Sequence, residues 1–355
     1  MSISDLLIQW YRRYRRDLPW RRTRDAYAIW VSEIILQQTH VDQGLPYYHR
    51  FLQAFPDAAS LARANLQEVL RLWQGLGYYS RARNMHQAAR EVMEIHDGKM
   101  PDSYAELRLL KGVGEYTAAA VASMASSEAV PVIDGNVIRV LSRLYGIGQD
   151  PSSAQVRREL RNTMQQLMQG QDPGELNQAV MEFGALQCVP RSPDCIKCPL
   201  NLYCMARKED RVQELPFRRP LSPPRHRYLN YVVIRNISRP DNLFLIQRLE
   251  KDIWRGLWTF PCIEDGKLLD NTQLIAHPDA SALLTDCANH TLTESIDLIH
   301  VLSHQRLHCR FFTLTCKPEG IPTPLPPKYG QVFPLSQLPP MPRLMHRFLE
   351  MTTVT

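Results

Sequence analysis

Up to about residue 210 the apolar residues recur at spacings of three and four, as in Leu66, Val69, Leu70 and Trp73, or Val137, Val140, Leu141 and Leu144. Beyond residue 227 they run instead in short strand-like stretches, Tyr228 to Ile234, Leu243 to Arg248 and Arg310 to Cys316. A helical repeat near 3.6 and a strand repeat of 2 cannot share one element, so the change of period splits the chain into two folds. Between them, 216–227 carries four prolines and five basic residues, counting His226, which suits an exposed linker better than a helix or a central strand. The expectation is a multidomain protein. An all-α domain occupies 1–212, a Pro/Arg-rich linker 213–227 and an α+β domain 228–355. At 355 residues there is chain enough for two separate cores.

No apolar run reaches membrane-spanning length, and Met1 to Gln9 lacks the basic-then-apolar pattern of a secretory signal. An intracellular, cytoplasmic protein without membrane contact is expected, in a reducing compartment. The net charge of +6 is modest, but it is concentrated in Tyr11 to Arg16, Arg21 with Arg22, and Ser80 to Arg83, where arginines alternate with aromatics. Such clusters suit phosphate contact; any one of them alone also reads as a solvated helix face.

Cys188, Cys195, Cys198 and Cys204 are separated by six, two and five residues and interrupted by Pro190, Pro193 and Pro199. Thiols this close in sequence suit a shared metal centre better than single burial. The uneven spacing fits a compact [4Fe-4S] cluster better than the paired knuckles of a zinc ribbon, although four thiolates would also hold a structural zinc. The other cysteines, Cys262, Cys287, Cys309 and Cys316, are dispersed, and the odd separation of the last two puts them on opposite faces of a strand.

Three further segments carry chemistry. In Leu110 to Thr117, Gly112 and Gly114 permit a tight hairpin before an alanine-rich helix, whose free N–H groups can grip a DNA phosphate without reading sequence. Lys111 in that hairpin is expected to point toward the same backbone. Twenty residues on, Val132 to Asn136 places Asp134 after an apolar run and before a helix. There it can be an N-cap, a charge that stabilises a cationic sugar, or both. Glu33 lies in a helical stretch with Ile29, Trp30 and Leu36 on its face, where desolvation would raise its pKa as a general acid requires; a glutamate at the stripe's edge would keep its carboxylate in water. Two carboxylates so differentiated suit cleavage of a glycosidic bond.

These features in this order, together with Leu36 to Thr39 and Gly75 to Asn84, resemble the MutY family of adenine DNA glycosylases, within the helix-hairpin-helix glycosylase superfamily, over residues 17 to 204. The part beyond the linker is similar to that family's Nudix-like domain. The resemblance implies that adenine opposite 8-oxoguanine or guanine in duplex DNA is flipped into a pocket and hydrolysed from its sugar, by a monomeric enzyme with a [4Fe-4S] cluster on Cys188, Cys195, Cys198 and Cys204. Glu33 matches the acid, Asp134 the carboxylate that stabilises the oxocarbenium ion, and Tyr116 and Asn136 the groups that orient them. Arg21 and Gln178 match the lining of the adenine pocket. Gln38 and Tyr78 match residues that enter the base stack, with Thr39, Arg81, Arg83, Lys111, Gly112 and Gly114 beside them on the DNA.

Tyr116 stands where related glycosylase/lyases of the endonuclease III type carry a lysine, so base removal without strand cleavage is implied. In the second domain, Trp254 to Pro261 is similar to a Nudix stretch, but no Arg-Glu-x-x-x-Glu-Glu helix follows to hold magnesium, which disfavours Nudix hydrolysis. The family's Phe-Ser-His lesion-reading loop corresponds to Leu302, Ser303 and His304, with the aromatic lost. A lyase, and a non-catalytic protein that only binds damaged DNA, are the competing readings.

Overall fold

The computed structural model describes residues 1–220, 222–236, 239–280, 290–316 and 330–352. Leu221 of the expected linker and Cys287 lie outside the described residues, as does the side chain of Cys316. Its contacts divide the chain into two compact units, Met1–Ala64 with Arg83–Pro220, and Asn65–Ala82 with Leu221–Thr355. Residues 65–82 therefore group with the strands that follow much later, a pairing that sequence proximity cannot reveal.

The first unit is helical. It contains α1 (Ile3–Tyr14), α2 (Ala26–Leu36), α3 (Val41–Ala54) and α4 (Ala58–Arg63). In the second unit α5 (Leu66–Leu72) follows, and then come α6 (Ser80–Ile95), α7 (Tyr104–Leu107), α8 (Glu115–Ser126), α9 (Gly135–Tyr145), α10 (Ala154–Leu167), α11 (Pro173–Leu186) and α12 (Met205–Lys208). Short polar residues start them: Asp25 accepts from the Tyr27 N–H, Asp134 from Val137 and Asp172 from Glu175, each satisfying a backbone donor the helix itself leaves open. At its other end α9 stops at Gly146, whose φ of +72° a side chain would resist. One cluster of this unit packs Leu7, Tyr11, Val140, Leu141, Leu144, Leu160, Val180 and Phe183, with Cys188, Cys198 and Cys204 against its edge. No helix among the described residues is long and apolar enough to cross a membrane.

In the second unit a mixed sheet has the order β3-β2-β1-β6-β5, with β4 on β1 and β7 on β2. Its strands are β1 (Arg225–Asn236), β2 (Arg239–Gln247), β3 (Trp258–Thr259), β4 (Cys262–Asp265), β5 (His290–Val301), β6 (Gln305–Cys316) and β7 (Gly330–Pro334). β1 and β6 run parallel and in register from Arg225 with Gln305 to Asn236 with Cys316. The strand therefore begins at Arg225, inside the stretch expected to be linker, because Arg225 to Arg227 find partners on β6. Strand alternation sends Leu229, Tyr231, Val233, Cys309 and Phe311 to one face, where they meet Leu344, Met345, Phe348 and Leu349 of α14 (Arg343–Thr352). Val232, Ile234, Phe312 and Leu314 face the other way, onto Leu274 of α13 (Asn271–Ala276). Both faces are covered, and the Phe311 and Phe348 rings stack with centroids 4.4 Å apart.

Candidate active site

Ten consecutive residues of α2, Ala26 to Ile35, are buried, so this is a core helix apolar on every side rather than one with a single apolar face. Glu33 is carried into the interior with it and is only 6 % exposed. Burial raises its pKa to about 7; the Tyr116 hydroxyl opposes that shift, the charge of Asp134 adds to it, and Arg21 pulls it down. The Tyr116 hydroxyl donates to Glu33 Oε2 at 2.6 Å, from the first turn of α8. A carboxyl poised near neutrality is the proper donor for a proton required in mid-reaction.

Asp134 is the N-cap of α9, the first of the two readings expected of it. Its Oδ1 accepts from the Val137 N–H at 2.7 Å and its Oδ2 from Asn136 Nδ2 at 2.8 Å. Burial raises its pKa, against the pull of these two donors and of Arg139. The segment leading to it is held by Asn177, whose Oδ1 accepts from the Val132 N–H at 3.0 Å while its Nδ2 donates to Val130 O and Ser123 Oγ. α11 passes so close that a Cβ on Gly184 would come within 2.6 Å of Asn136 Cβ. Behind Asn136, Arg139 Nη2 donates to its Oδ1 at 2.7 Å and Arg139 Nε to Cys188 O at 2.7 Å, while Arg143, one turn on, places Nη1 3.4 Å from Cys188 Sγ. A hydrogen-bonded path thus runs from Asp134 to the cysteine loop. Asn177, Arg139 and Arg143 escape sequence reasoning; the i, i+4 pair of arginines on α9 was the available signal.

Arg21 and Gln178 are brought together, Arg21 Nε donating to Gln178 Oε1 at 2.9 Å, in a cavity also lined by Tyr11, Trp20 and Met124. Arg21 also forms a two-pronged pair with Glu182 at 2.8 Å on each oxygen, and Arg16 forms a second. Burial pushes the Glu182 carboxyl up, but the two guanidinium groups outweigh it and hold its pKa at about 2. Glu182 was missed because a lone glutamate four residues after Gln178 looks like any helix charge.

On the hairpin, Gly112 has φ +77° and a Cβ there would strike Asn84 at 2.6 Å, whereas around Gly114, the N-cap of α8, nothing lies within 4 Å. The first glycine is demanded by the chain, and the second leaves its surroundings open to a ligand. Lys111 is exposed, with its backbone N–H on Glu91, and Arg83 is half-buried. Gln38 is exposed just past α2, with φ +57°, and Thr39 follows with its N–H on Leu36 O.

In the second unit, Tyr78 is 41 % exposed at φ +45°. A left-handed backbone costs a residue with a Cβ about 1–2 kcal/mol, so Gln38 and Tyr78 both hold strain. Arg81 corrects its expectation: only 8 % exposed, it lies against Trp73 and Tyr78 rather than presenting its charge to a phosphate. Ser303 and His304 form the exposed two-residue turn of the β5–β6 hairpin, closed by Leu302 and Gln305. Leu302 is half-buried and packs against the core. The Tyr78 hydroxyl meets Ser303 Oγ. Helix α13, which follows the Nudix-like stretch, contains neither Asp nor Glu.

Cys188, Cys195, Cys198 and Cys204 line one cavity with Arg143 and Arg207. Among the described residues no three His, Cys, Asp or Glu side chains gather into a set that could hold a metal ion.

Residues 31–166 match the HhH-GPD superfamily of base excision DNA repair proteins, and residues 230–351 the NUDIX domain. The adenine DNA glycosylase of Buchnera aphidicola subsp. Acyrthosiphon pisum is 32 % identical over 306 residues, covering 86 % of this chain and 84 % of that protein. The chain belongs to the adenine DNA glycosylase family. The human adenine DNA glycosylase is 35 % identical over 374 residues, 90 % of this chain and 68 % of that one. Among solved structures, a thermostable thymine-DNA glycosylase superposes with a TM-score of 0.54 at 28 % identity over 58 % of this chain and 95 % of its own. A trapped endonuclease III–DNA covalent intermediate, at 0.51 and 21 %, covering 58 % of this chain and 94 % of that one, shares the fold. The HhH-GPD group to which this adenine DNA glycosylase family belongs includes iron–sulfur members.

Proposed function

We propose that the chain hydrolyses the N-glycosidic bond of adenine standing opposite 8-oxoguanine or guanine in duplex DNA, without cutting the strand. The observation that carries this is Glu33, buried, near neutral pKa and hydrogen-bonded by Tyr116, in the same unit as Asp134 at the N-cap of α9. Glu33 gives its proton to a ring nitrogen of the flipped adenine. The glycosidic bond then breaks with its electron pair leaving on the base, and the Asp134 carboxylate stabilises the oxocarbenium ion until water adds at the sugar carbon and loses its proton. Asn136 and Tyr116 hold the two carboxyl groups in place. Arg21, fixed by Glu182, engages the Gln178 oxygen, while the Gln178 amide nitrogen donates to Met124 Sδ at 3.3 Å, so both ends of the amide are held on the wall of the pocket. A phenol cannot form an imine, so no strand cleavage follows.

On the DNA side, Gln38 and Tyr78 enter the stack, with Thr39, Arg83, Lys111, Gly112 and Gly114 along the backbone and Ser303 and His304 at the lesion. The cysteine cavity fits an iron–sulfur cluster. The four cysteines line this cavity next to the buried guanidinium of Arg143, and their uneven spacing favours such a cluster over the paired knuckles of a zinc ribbon. Held there, a [4Fe-4S] cluster would brace the loop, and its cysteine ligands, with Arg143 beside them, would tie that loop to α9.

The test is single-turnover adenine release, read as alkali-dependent strand breakage, on duplexes with adenine opposite 8-oxoguanine, guanine or thymine. Release from the first two is expected, with no borohydride-trapped adduct. Binding without release would favour a damage-binding protein, and a trapped imine the lyase. Four iron atoms per chain, lost in Cys198→Ser, would identify the cluster.

A further inference from the structure

The turn that carries Tyr78 is built in an unusual way. Gly75 at φ +101°, Gly77 at +73° and Tyr78 at +45° put three left-handed residues within four. Around Gly77 a Cβ would meet nothing within 4 Å, so conformation and not space requires that glycine. Two donors converge on its carbonyl, the last before Tyr78: the Trp73 indole N–H at 3.0 Å and Arg81 Nη2 at 3.3 Å. Arg81 also reaches Leu76 O at 3.4 Å, and its backbone N–H donates to Tyr78 O at 2.9 Å. Its guanidinium lies 5.2 Å from the Trp73 ring centroid and 5.6 Å from that of Tyr78. A charged group buried this way is retained only where its bonds and ring contacts offset desolvation.

We infer that Arg81 is a positioning residue: with Trp73 it clamps the Gly77 carbonyl, holds Tyr78 in its left-handed conformation, and so aims the Tyr78 hydroxyl at Ser303. The inference rests on the proposed reading of the site and deepens it. 8-Oxoguanine differs from guanine by a carbonyl at C8 and an N–H at N7, features that a fixed pair of hydroxyls can meet and a loosened pair cannot. Arg81 therefore contributes to telling 8-oxoguanine from guanine, and it does so without touching either DNA strand.

The experiment measures single-turnover adenine release opposite 8-oxoguanine and opposite guanine for the full chain, for Arg81→Gln and Arg81→Lys, and for each in a Tyr78→Ala background. The ratio of the two rates is expected to fall about fivefold in Arg81→Gln, equivalent to ~1 kcal/mol. Arg81→Lys, which keeps the cation beside Trp73 but not the planar fork, should give an intermediate ratio. In the Tyr78→Ala background neither change should move the ratio further, because the clamp has nothing left to aim. Equal loss on both duplexes that steepens at low salt would mark a phosphate contact and overturn the inference, as would a wild-type ratio. Should Arg81→Gln not fold, Arg81→Lys decides by the same criteria. Failure of the wild-type chain to release adenine from either duplex would overturn the proposed function instead, a distinct result.

Discussion

The Tyr116 hydroxyl donates to Glu33 Oε2 at 2.6 Å, across 83 residues of sequence, and the acid it touches has its pKa raised by burial to about 7. The protonated form is the active one, so adenine release should be fastest below neutrality and fall about tenfold per pH unit above it. The Tyr116 bond lowers that pKa. Tyr116→Phe should therefore move the alkaline limb to higher pH, and Glu33→Gln should cost roughly 10²–10⁴-fold in rate while retaining duplex binding. A pH–rate profile of single-turnover release checks both; an unshifted limb in Tyr116→Phe would remove Glu33 as the titrating acid.

Asp134 combines a cap with a charge, and Asn separates them. Asparagine caps a helix about as well as aspartate, so the bond to the Val137 N–H survives in Asp134→Asn, while the new amide N–H₂ faces the Asn136 Nδ2 donor and should cost about 1–3 kcal/mol of stability. Release should still drop by on the order of 10²–10³-fold, because the neutral amide no longer stabilises the cationic sugar. Melting and rate measured on one preparation distinguish this from simple unfolding.

Gly184 is where α11 crosses the start of α9. Gly184→Ala would force its new methyl against Asn136, whose Cβ and carbonyl oxygen lie 2.6 and 2.9 Å from it, both parts of a short, well-held segment. Overpacking of this kind costs about 1–3 kcal/mol. A lower melting temperature together with slower release is expected, and an unchanged rate would show that Asn136 can shift without moving Asp134.

Glu182 gives the acid side of stability. Its folded pKa is held at about 2 by Arg21 and Arg16, below its ordinary value of 4.5, so its stabilisation is fully present above about pH 4.5 and is lost as pH falls toward 2. The size is on the order of 3 kcal/mol. Unfolding by denaturant at pH 7 and pH 3 should show a smaller difference in Glu182→Gln than in the unchanged chain. That variant should also slow adenine release, since Arg21 loses the partner that fixes it against Gln178.

What the sequence by itself determined is local in origin. The change of hydrophobic period separated helices from strands, Gly112 with Gly114 marked the hairpin before α8, and four close cysteines marked the loop that lines one cavity, because each signal lies within a few residues of chain. The burial of Glu33 and the cap at Asp134 were legible for the same reason, one from its apolar neighbours and one from its place before a helix. Tertiary structure alone decided how these signals are used. It buried α2 on every side and so set the pKa of Glu33, and it joined Asn136 to Cys188 through Arg139, 49 residues before the cysteine. It turned Arg81 from the surface inward and gathered residues 65–82 with strands that begin at Arg225. Charge in a sequence tells only that a group is costly to bury. Whether carbonyls, rings and counter-charges converge to make burial favourable depends on segments far apart in the chain, and only the fold brings those together.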